Sequence, residues 1–159
     1  MIQSSSSTVR ILSNTVSRAA EVDWKKRLAE VDIILVSGGN TFYLLDQMRK
    51  SGFDIWLKEN INTKVYVGIS AGTIIITPSI AIASIDGGDV NLPGLTDLTG
   101  VGLVDFEISP HAPEHVSHAS NEEYKKTSKN PLYQIDDQTA IKVVDGAIEV
   151  ISEGKWSKI

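Results

Sequence analysis

The first half of the chain alternates patterns typical of helices and of buried strands. Residues 22–31 place apolar side chains at the spacing of an amphipathic helix, and residues 32–37 form a short apolar run rich in β-branched residues. Residues 41–50 and 53–60 predict two further helices, and residues 64–69 predict a second strand. Uninterrupted apolar strands are typical of parallel sheets that are covered on both faces. This order of elements therefore predicts an α/β fold.

Beyond residue 85 the pattern changes to loops and shorter elements. Residues 86–102 contain five glycines and predict a loop. Residues 103–108 predict a strand that stops before Pro110, because proline cannot continue a central ladder. Residues 114–126 predict a polar surface helix.

Two strand-like runs lie near the end of the chain. Residues 140–144 and 147–152 flank Asp145 and Gly146, the dipeptide most typical of a two-residue hairpin turn. The sequence has no internal repeat and no linker-like stretch, so residues 1–159 are predicted to form a single domain.

Composition and charge restrict the classes of function. The chain has 159 residues, of which 42% are hydrophobic and 22% are charged, the mixture of an ordinary folded domain. Its net charge of −5 leaves no cationic surplus for phosphates, so neither nucleic acid nor an anionic membrane is expected as a partner. The absence of cysteine excludes disulfides and thiolate chemistry and is compatible with the cytoplasm.

One uncharged segment is long enough to cross a bilayer. Residues 65–85 carry no charged side chain, but glycine, serine, threonine and proline interrupt them. We therefore expect this segment to be buried core. The N-terminus has neither the basic region nor the apolar stretch of an export signal, which again predicts a cytoplasmic protein.

A candidate nucleophile lies at the end of the second predicted strand. Residues 68–72 match the G-x-S-x-G nucleophile elbow, a sharp turn between a strand and a helix that presents the serine hydroxyl. The flanking glycines permit the chain to reverse, and the following helix adds a positive N-terminal end. An ordinary glycine-rich turn is the alternative. The position directly after a buried strand favours Ser70 as a nucleophile.

A serine nucleophile needs a base, and His111 is the histidine that follows a predicted strand. The carboxyl ends of parallel strands lie at one edge of a sheet, so His111 is expected beside Ser70. His115 and His118 lie in the polar stretch that follows. With Glu114, the three histidines also match a metal cluster, but prolines on either side of His111 argue against one continuous helix through them.

Two aspartates are candidates for the acid that orients the histidine. Asp86 comes early in the glycine-rich loop, and Asp137 follows later in the chain. Asp86 is preferred, because it lies sixteen positions after Ser70 in a loop that leaves the same edge of the sheet. An ordinary turn role is the alternative for either aspartate.

Backbone amides supply the remaining requirement, an oxyanion hole. The amide of Ala71 follows the nucleophile, and Gly38 and Gly39 end the neighbouring strand without side chains, so a second amide can come close. A nucleotide-binding turn is the weaker interpretation of these two glycines, because the G-x-G-x-x-G spacing is missing.

Three segments resemble the peptidase E family, serine peptidases of the class I glutamine amidotransferase-like fold known for aspartyl dipeptidases. They are residues 38–45, residues 68–72 with Pro78 after them, and residues 109–111, in the same order and at similar spacing as in the family. The resemblance implies a three-layer, flavodoxin-like α/β fold with a mostly parallel sheet and helices on both faces. It covers the chain from residue 31 onwards, whereas residues 1–30 match poorly. Since family members carry additional strands there, it also implies a shortened N-terminus.

The resemblance also implies roles for single residues. The implied catalytic residues are Ser70, His111 and Asp86, with Asp137 as the alternative acid and Gly39 and Ala71 as oxyanion-hole donors. The implied substrate-binding residues are Gly38, Asn40, Thr41 and Lys125. Lysine stands here where the aspartyl dipeptidases have an arginine for the acidic side chain, and it lacks the bidentate fork, so selectivity for Asp is left open.

Together these features predict a cytoplasmic serine-type peptidase that hydrolyses dipeptides or short peptides, including those with an N-terminal Asp. We expect a monomer or homodimer that takes a short peptide as its partner and uses neither a metal nor a cofactor. The alternative is a catalytically inactive homologue or truncated product that acts as a binding or scaffold protein.

Overall fold

Residues 23–159 are described by this computed structural model, and they combine helices with short strands. The helices are α1 (Trp24–Ala29), α2 (Thr41–Ser51), α3 (Phe53–Asn60), α4 (Ala71–Ile74) and α5 (His118–Lys125). The strands are β1 (Ile33–Val36), β2 (Val65–Gly68), β3 (Glu107–Ser109), β4 (Leu132–Ile135), β5 (Thr139–Val144), β6 (Ala147–Ser152) and β7 (Trp156–Lys158). Two 3-10 segments lie at Ile61–Thr63 and Ala81–Gly87. The α/β class is confirmed.

Parallel pairing joins the strands that precede the candidate site residues. β1 pairs in parallel with β2, with Ile33 opposite Val65 and Val36 opposite Gly68. β3 pairs in parallel with β4, and β7 adds to β4 in the antiparallel direction. β5 and β6 form a separate antiparallel hairpin. The described residues therefore contain both parallel and antiparallel pairing, and the sheet of β3, β4 and β7 combines the two.

Local signals predicted α2, α3 and the hairpin with nearly correct bounds. The side chain of Asn40 accepts a hydrogen bond from the amide of Tyr43 and caps α2, and Gly52 ends the helix in the left-handed conformation at φ 71°. At the hairpin, Asp145 and Gly146 adopt φ values of 50° and 79°, as a type I′ turn requires. Each of these signals acts within a few residues.

The first helix begins at Trp24, and residue 22, where the pattern starts, lies outside the described residues. The ring of Trp24 packs edge-on against Phe53 at 5.6 Å and against Trp56 at 5.9 Å between ring centroids. These aromatic contacts join α1 to α3.

The main core is formed by large apolar side chains that are almost fully buried, including Phe42, Leu45, Met48, Leu57, Ile75 and Ile80. The second part of the uncharged segment 65–85 contributes to this core as expected, because Ile75 and Ile80 are both 0% exposed, whereas Val65 and Ile69 in its first part are more than half exposed. No helix among residues 23–159 is both long enough and apolar enough to cross a membrane. A second, smaller cluster comprises Phe106, Ile108, Tyr133 and Ile135.

The prediction that β1 and β2 are buried on both faces is wrong for the described residues. Ile34 and Val36 are buried, whereas Leu35 is 60% exposed and Val65 on the neighbouring strand is 55% exposed. Apolar periodicity reports which side chains can be buried. It does not report which layers of the protein cover them.

Several elements are shorter than their patterns predict. α4 has four residues and ends shortly before Pro78, since the residue before a proline avoids the helical conformation. The amide of Leu103 donates to the carbonyl of Ile76 at 2.7 Å, so the predicted strand at residues 103–108 begins only at Glu107.

The polar helix predicted at residues 114–126 begins only at His118, where Ser117 is the N-cap and accepts a hydrogen bond from the amide of Ser120. β4 and β7 were not predicted, because runs of four and three residues are too short to show a period. β4 matters for function, since Asp137 follows it.

Gly72 of α4 packs directly against the backbone of β1. A Cβ atom at Gly72 would lie 2.1 Å from the carbonyl oxygen of Val36, a distance that real Cβ atoms do not reach. The same oxygen accepts the amide of Ile69 at 3.0 Å, so it cannot retreat without breaking the connection to β2. Only glycine fits this position.

We expect Gly72→Ala to destabilise the protein by about 3 kcal/mol or more, because the backbone of β1 must shift to admit the methyl group. The control is Gly94→Ala, where a Cβ meets open space and only the positive φ of 68° opposes the change. That strain costs about 1–2 kcal/mol. Chemical denaturation measures the free energy of unfolding of both variants. Equal decreases in the two variants would show that the close contact of Gly72 with Val36 does not determine the cost.

Candidate active site

Ser70 is presented on a sharp turn between β2 and α4. Its backbone adopts φ 54° and ψ −117°, a conformation that a residue with a side chain occupies only when its surroundings enforce it. The turn is closed by the amide of Gly72, which donates to Ile69 at 2.9 Å, and by the amide of Thr73, which donates to Ser70 at 2.8 Å. This geometry is the one predicted from the G-x-S-x-G pattern.

Gly38, which follows β1, lies directly against the serine. A Cβ atom at Gly38 would come 3.0 Å from the Cβ of Ser70 and 3.4 Å from its Oγ. The absence of a side chain therefore leaves space around the hydroxyl. The next residue, Gly39, has a φ of 129°, which favours glycine.

His111 follows β3, and its Nε2 lies 2.9 Å from the Oγ of Ser70. The neighbouring backbone is held on both sides, because the amide of Ala112 donates to the carbonyl of Ile135 at 3.0 Å and the amide of His115 donates to that of His111 at 2.8 Å. The φ of His111 is 60°, a second constrained conformation at this site. The histidine predicted to face the serine does so.

Asp137 follows β4, and its Oδ1 lies 2.5 Å from the Nδ1 of His111. A carboxylate only accepts hydrogen bonds, so Nδ1 carries the proton and Nε2 is left free to accept the hydroxyl of Ser70. The side chain of His111 is 35% exposed and that of Asp137 is 63% exposed. Water reaches this end of the hydrogen-bonded chain and screens its charges. The main effect of Asp137 is therefore to orient the ring of His111, and the attraction between charges contributes less.

Asp86, the preferred acid of the sequence analysis, does not contact His111. Its carboxylate accepts the amide of Ser117 at 2.9 Å and the hydroxyl of Ser120 at 2.6 Å, both at the N-terminus of α5. These two bonds, with that from Ser120 the larger effect, lower the pKa of Asp86 below its usual value. The structure thus brings the alternative, Asp137, to the histidine and leaves Asp86 as a helix cap.

The two amides assigned to the oxyanion hole have no acceptor within the described residues. Neither the amide of Gly39 nor that of Ala71 donates a hydrogen bond to any protein atom there. Ala71 is the first residue of α4, where an amide has no helical partner. Both donors are therefore available to a ligand oxygen beside Ser70.

The remaining substrate-binding candidates have mainly structural contacts. Asn40 caps α2 and donates from its Nδ2 to the carbonyl of Val90 at 2.8 Å. Thr41 is 1% exposed, so its side chain faces the core and not a substrate. Lys125 lies at the C-terminal end of α5 and its Nζ approaches the carbonyl of Ser128 at 3.4 Å. The structure does not bring Thr41 or Lys125 to the serine.

One contact beside the site was not anticipated from the sequence. The carboxylate of Asp89 accepts the amide of Thr41 at 2.6 Å, which ties the glycine-rich loop to the N-terminus of α2. A carboxylate directly after Gly87 and Gly88 was the available signal, but nothing local indicates which helix it meets.

The alternative metal cluster is not formed. His118 makes its contacts with Gln134, at 3.0 Å from Nδ1, and with Glu122, at 3.3 Å from Nε2. The ring of His115 packs edge-on against that of His111 at 5.8 Å between centroids. Between residues 23 and 159, no three histidine, aspartate or glutamate side chains come together as a metal site.

The site and the fold define a class, an α/β protein with a serine on a strand-to-helix turn, hydrogen-bonded through a histidine to an aspartate. A sequence profile of Peptidase family S51 matches residues 2–151. The chain belongs to this family. A crystal structure of a candidate peptidase E protein from Listeria monocytogenes EGD-e superposes with a TM-score of 0.70 at 27% identity, covering 89% of this chain and 67% of that one.

The curated relatives that the chain matches include further proteins named as peptidases. An uncharacterised peptidase of Pasteurella multocida is 36% identical over 97 residues, which are 60% of this chain and 47% of that protein. A peptidase E of Shewanella amazonensis is 28% identical over 120 residues, 75% of this chain and 49% of that protein. The chain spans about half the length of the curated relatives that it matches.

The cap at α5 generates a prediction for pH. Because the folded pKa of Asp86 is lowered, its stabilising effect is present above the unfolded pKa of about 3.9 and disappears as pH falls through the folded value. We expect Asp86→Asn to lower the thermal midpoint at pH 7, and the difference from the wild type to shrink towards about pH 2. Thermal unfolding across this range measures it; a difference independent of pH would contradict the assignment.

Proposed function

We propose that the protein is a serine-type peptidase that hydrolyses dipeptides or short peptides. The observation that carries this proposal is the continuous hydrogen-bonded chain from the Oγ of Ser70 through His111 to Asp137. Membership of Peptidase family S51 supports it independently.

In this proposal each group has a defined chemical role. The Oγ of Ser70 attacks the carbonyl carbon of the scissile bond while its proton passes to the Nε2 of His111. His111 then donates that proton to the leaving amine as the C–N bond breaks, and water hydrolyses the resulting acyl-enzyme by the reverse proton path. Asp137 holds the tautomer of the imidazole and stabilises the imidazolium.

The amides of Gly39 and Ala71 are the proposed oxyanion-hole donors. Both lack protein acceptors, and both belong to turns next to the hydroxyl of Ser70. Such donors stabilise the negative charge that develops on the carbonyl oxygen in the transition state. Their fixed backbone positions require no reorganisation during the reaction.

For the substrate, we propose short peptides without selectivity for an N-terminal Asp. Lys125, the cation expected to bind an acidic side chain, faces the carbonyl of Ser128 at the far end of α5. Asp89 adds a carboxylate to the loop that borders α2. With the lysine directed to Ser128 and a carboxylate on this loop, the described charges do not support recognition of an acidic side chain.

We also propose the layer arrangement of the fold, the location of the protein in the cell and its oligomeric state. We propose a three-layer arrangement with helices on both faces of a mostly parallel, flavodoxin-like sheet. The apolar side chains that β1 and β2 leave exposed on one face, including Leu35 and Val65, support this arrangement, because a further layer of helices would bury them. We further propose a cytoplasmic protein that acts as a monomer or homodimer and binds neither nucleic acid nor membranes.

The first test is covalent labelling of the 159-residue chain by a fluorophosphonate probe, which reacts only with an activated serine. We expect labelling at Ser70, loss of labelling in Ser70→Ala, and a fall in peptide hydrolysis of about 10⁶-fold in that variant. Mass spectrometry of the labelled peptide identifies the site.

The matched control is Ser51→Ala. Ser51 is the last residue of α2, and its hydroxyl donates hydrogen bonds only to carbonyls of its own helix. This variant should label as the wild type does. A folded wild-type chain that does not label would contradict the proposed activity and favour a binding or scaffold protein.

A second test decides between the two acids. Replacing the acid of a triad by its isosteric amide leaves the geometry intact but favours the wrong histidine tautomer, so we expect Asp137→Asn to lower turnover on the order of 10⁴-fold. Asp86→Asn should remain near the wild-type rate, because Asp86 contacts only the start of α5. Steady-state kinetics of both variants measure this. A large loss in Asp86→Asn alone would restore the assignment made from the sequence.

A further inference from the structure

Tyr66 connects β2 to the turn that carries the nucleophile. It lies four positions before Ser70, pairs with Ile34 of β1 and packs its ring against the main core. Its hydroxyl donates a hydrogen bond to the carbonyl of Gly72 at 2.6 Å. Among the described residues, Tyr66 makes no hydrogen bond to the side chains of Ser70, His111 or Asp137.

The carbonyl of Gly72 depends on this donor. In a longer helix it would accept the amide of Ile76, but α4 ends at Ile74 and that bond is not made. Among the described residues, the hydroxyl of Tyr66 is the donor to this oxygen. A buried carbonyl without a donor is costly, so its peptide group would rearrange if the hydroxyl were removed.

The same peptide segment is confined from the opposite side by β1. The Cα of Gly72 lies against the carbonyl oxygen of Val36, which leaves no room for a side chain. Gly72 is thus held between β1 and the phenol, and its own amide closes the turn by donating to Ile69. This turn contains the amide of Ala71 and the strained backbone of Ser70.

We propose that Tyr66 is a positioning residue for the nucleophile and for the oxyanion-hole amide. This inference rests on the proposed peptidase activity. The phenol acts through the peptide group of Gly72. It fixes the turn so that the Oγ of Ser70 meets His111 and the amide of Ala71 faces the developing oxyanion, although it touches neither substrate nor reacting atoms.

The hydroxyl is suited to this role across the physiological pH range. Burial raises the pKa of Tyr66 well above its usual value, so the phenol stays protonated and remains a donor. The core packing of its ring also keeps the hydroxyl at a fixed position. Removing the hydroxyl alone, with the ring retained, therefore isolates the hydrogen bond.

The test compares Tyr66→Phe with Tyr124→Phe. Tyr124 also donates a phenolic hydrogen bond in a part-buried setting, to Glu107 at 2.5 Å, but this bond joins α5 to β3 and does not involve the nucleophile turn. Both variants lose one such bond and keep the ring. Fluorophosphonate labelling, steady-state peptide hydrolysis and amide hydrogen exchange at residues 71–73 are measured on the full chain.

We expect Tyr66→Phe to lower the labelling rate and kcat about tenfold, since small displacements of a reacting group reduce rates by such factors, while KM changes less than about twofold. Amide exchange at residues 71–73 should rise in this variant. Tyr124→Phe should lose thermal stability while it keeps the wild-type kcat and the wild-type exchange at these residues.

Two results would overturn the proposal. Unchanged kcat and unchanged exchange in Tyr66→Phe, with only a lower thermal midpoint, would make Tyr66 a purely structural residue. An equal loss of kcat in both variants would show a general effect of stability. If the wild type does not label at all, the proposed activity fails, and amide exchange at residues 71–73 still decides whether Tyr66 holds the turn.

Discussion

The approach of Gly72 to the carbonyl of Val36 is the constraint on which the site depends. It brings the backbones of β1, β2 and α4 together within a few residues, so that the serine after β2 lies against the glycine after β1. A side chain at Gly72 would separate these segments, and one at Gly38 would crowd the side chain of Ser70. The unusual backbone conformation of Ser70 persists because contacts on both sides of the turn over-determine it.

The residues of the candidate site all lie just beyond the carboxyl ends of strands. Gly38, Ser70, His111 and Asp137 follow β1, β2, β3 and β4 in that order, each within a few residues of the strand end. β2 and β3 are not paired with each other in the described sheets, and the bond between Ser70 and His111 joins the two parallel pairs. The geometry of the candidate site therefore also contributes to the contact between the two parallel pairs of strands.

The loop between α4 and β3 has a supporting role. Asp86 holds this loop to the N-terminus of α5, and Asp89, three residues later, holds it to the N-terminus of α2. Further along, the loop supplies amides to the carbonyls beyond α4. Asp89 and Asp86, the latter preferred as the catalytic acid from the sequence, thus fix the loop on helix N-termini, where partial positive charge and free amides favour carboxylates.

The sequence by itself determined the features that depend on neighbouring residues: the cap and stop of α2, the hairpin turn at Asp145, the elbow around Ser70 and the histidine after a strand end. Only the tertiary structure decided which acid meets His111, because Asp86 and Asp137 are both aspartates near strand or loop ends and their partners lie 25 or more positions away. It also decided which face of β1 and β2 is covered. Local patterns record backbone preference and side-chain polarity, whereas these outcomes depend on how distant segments pack.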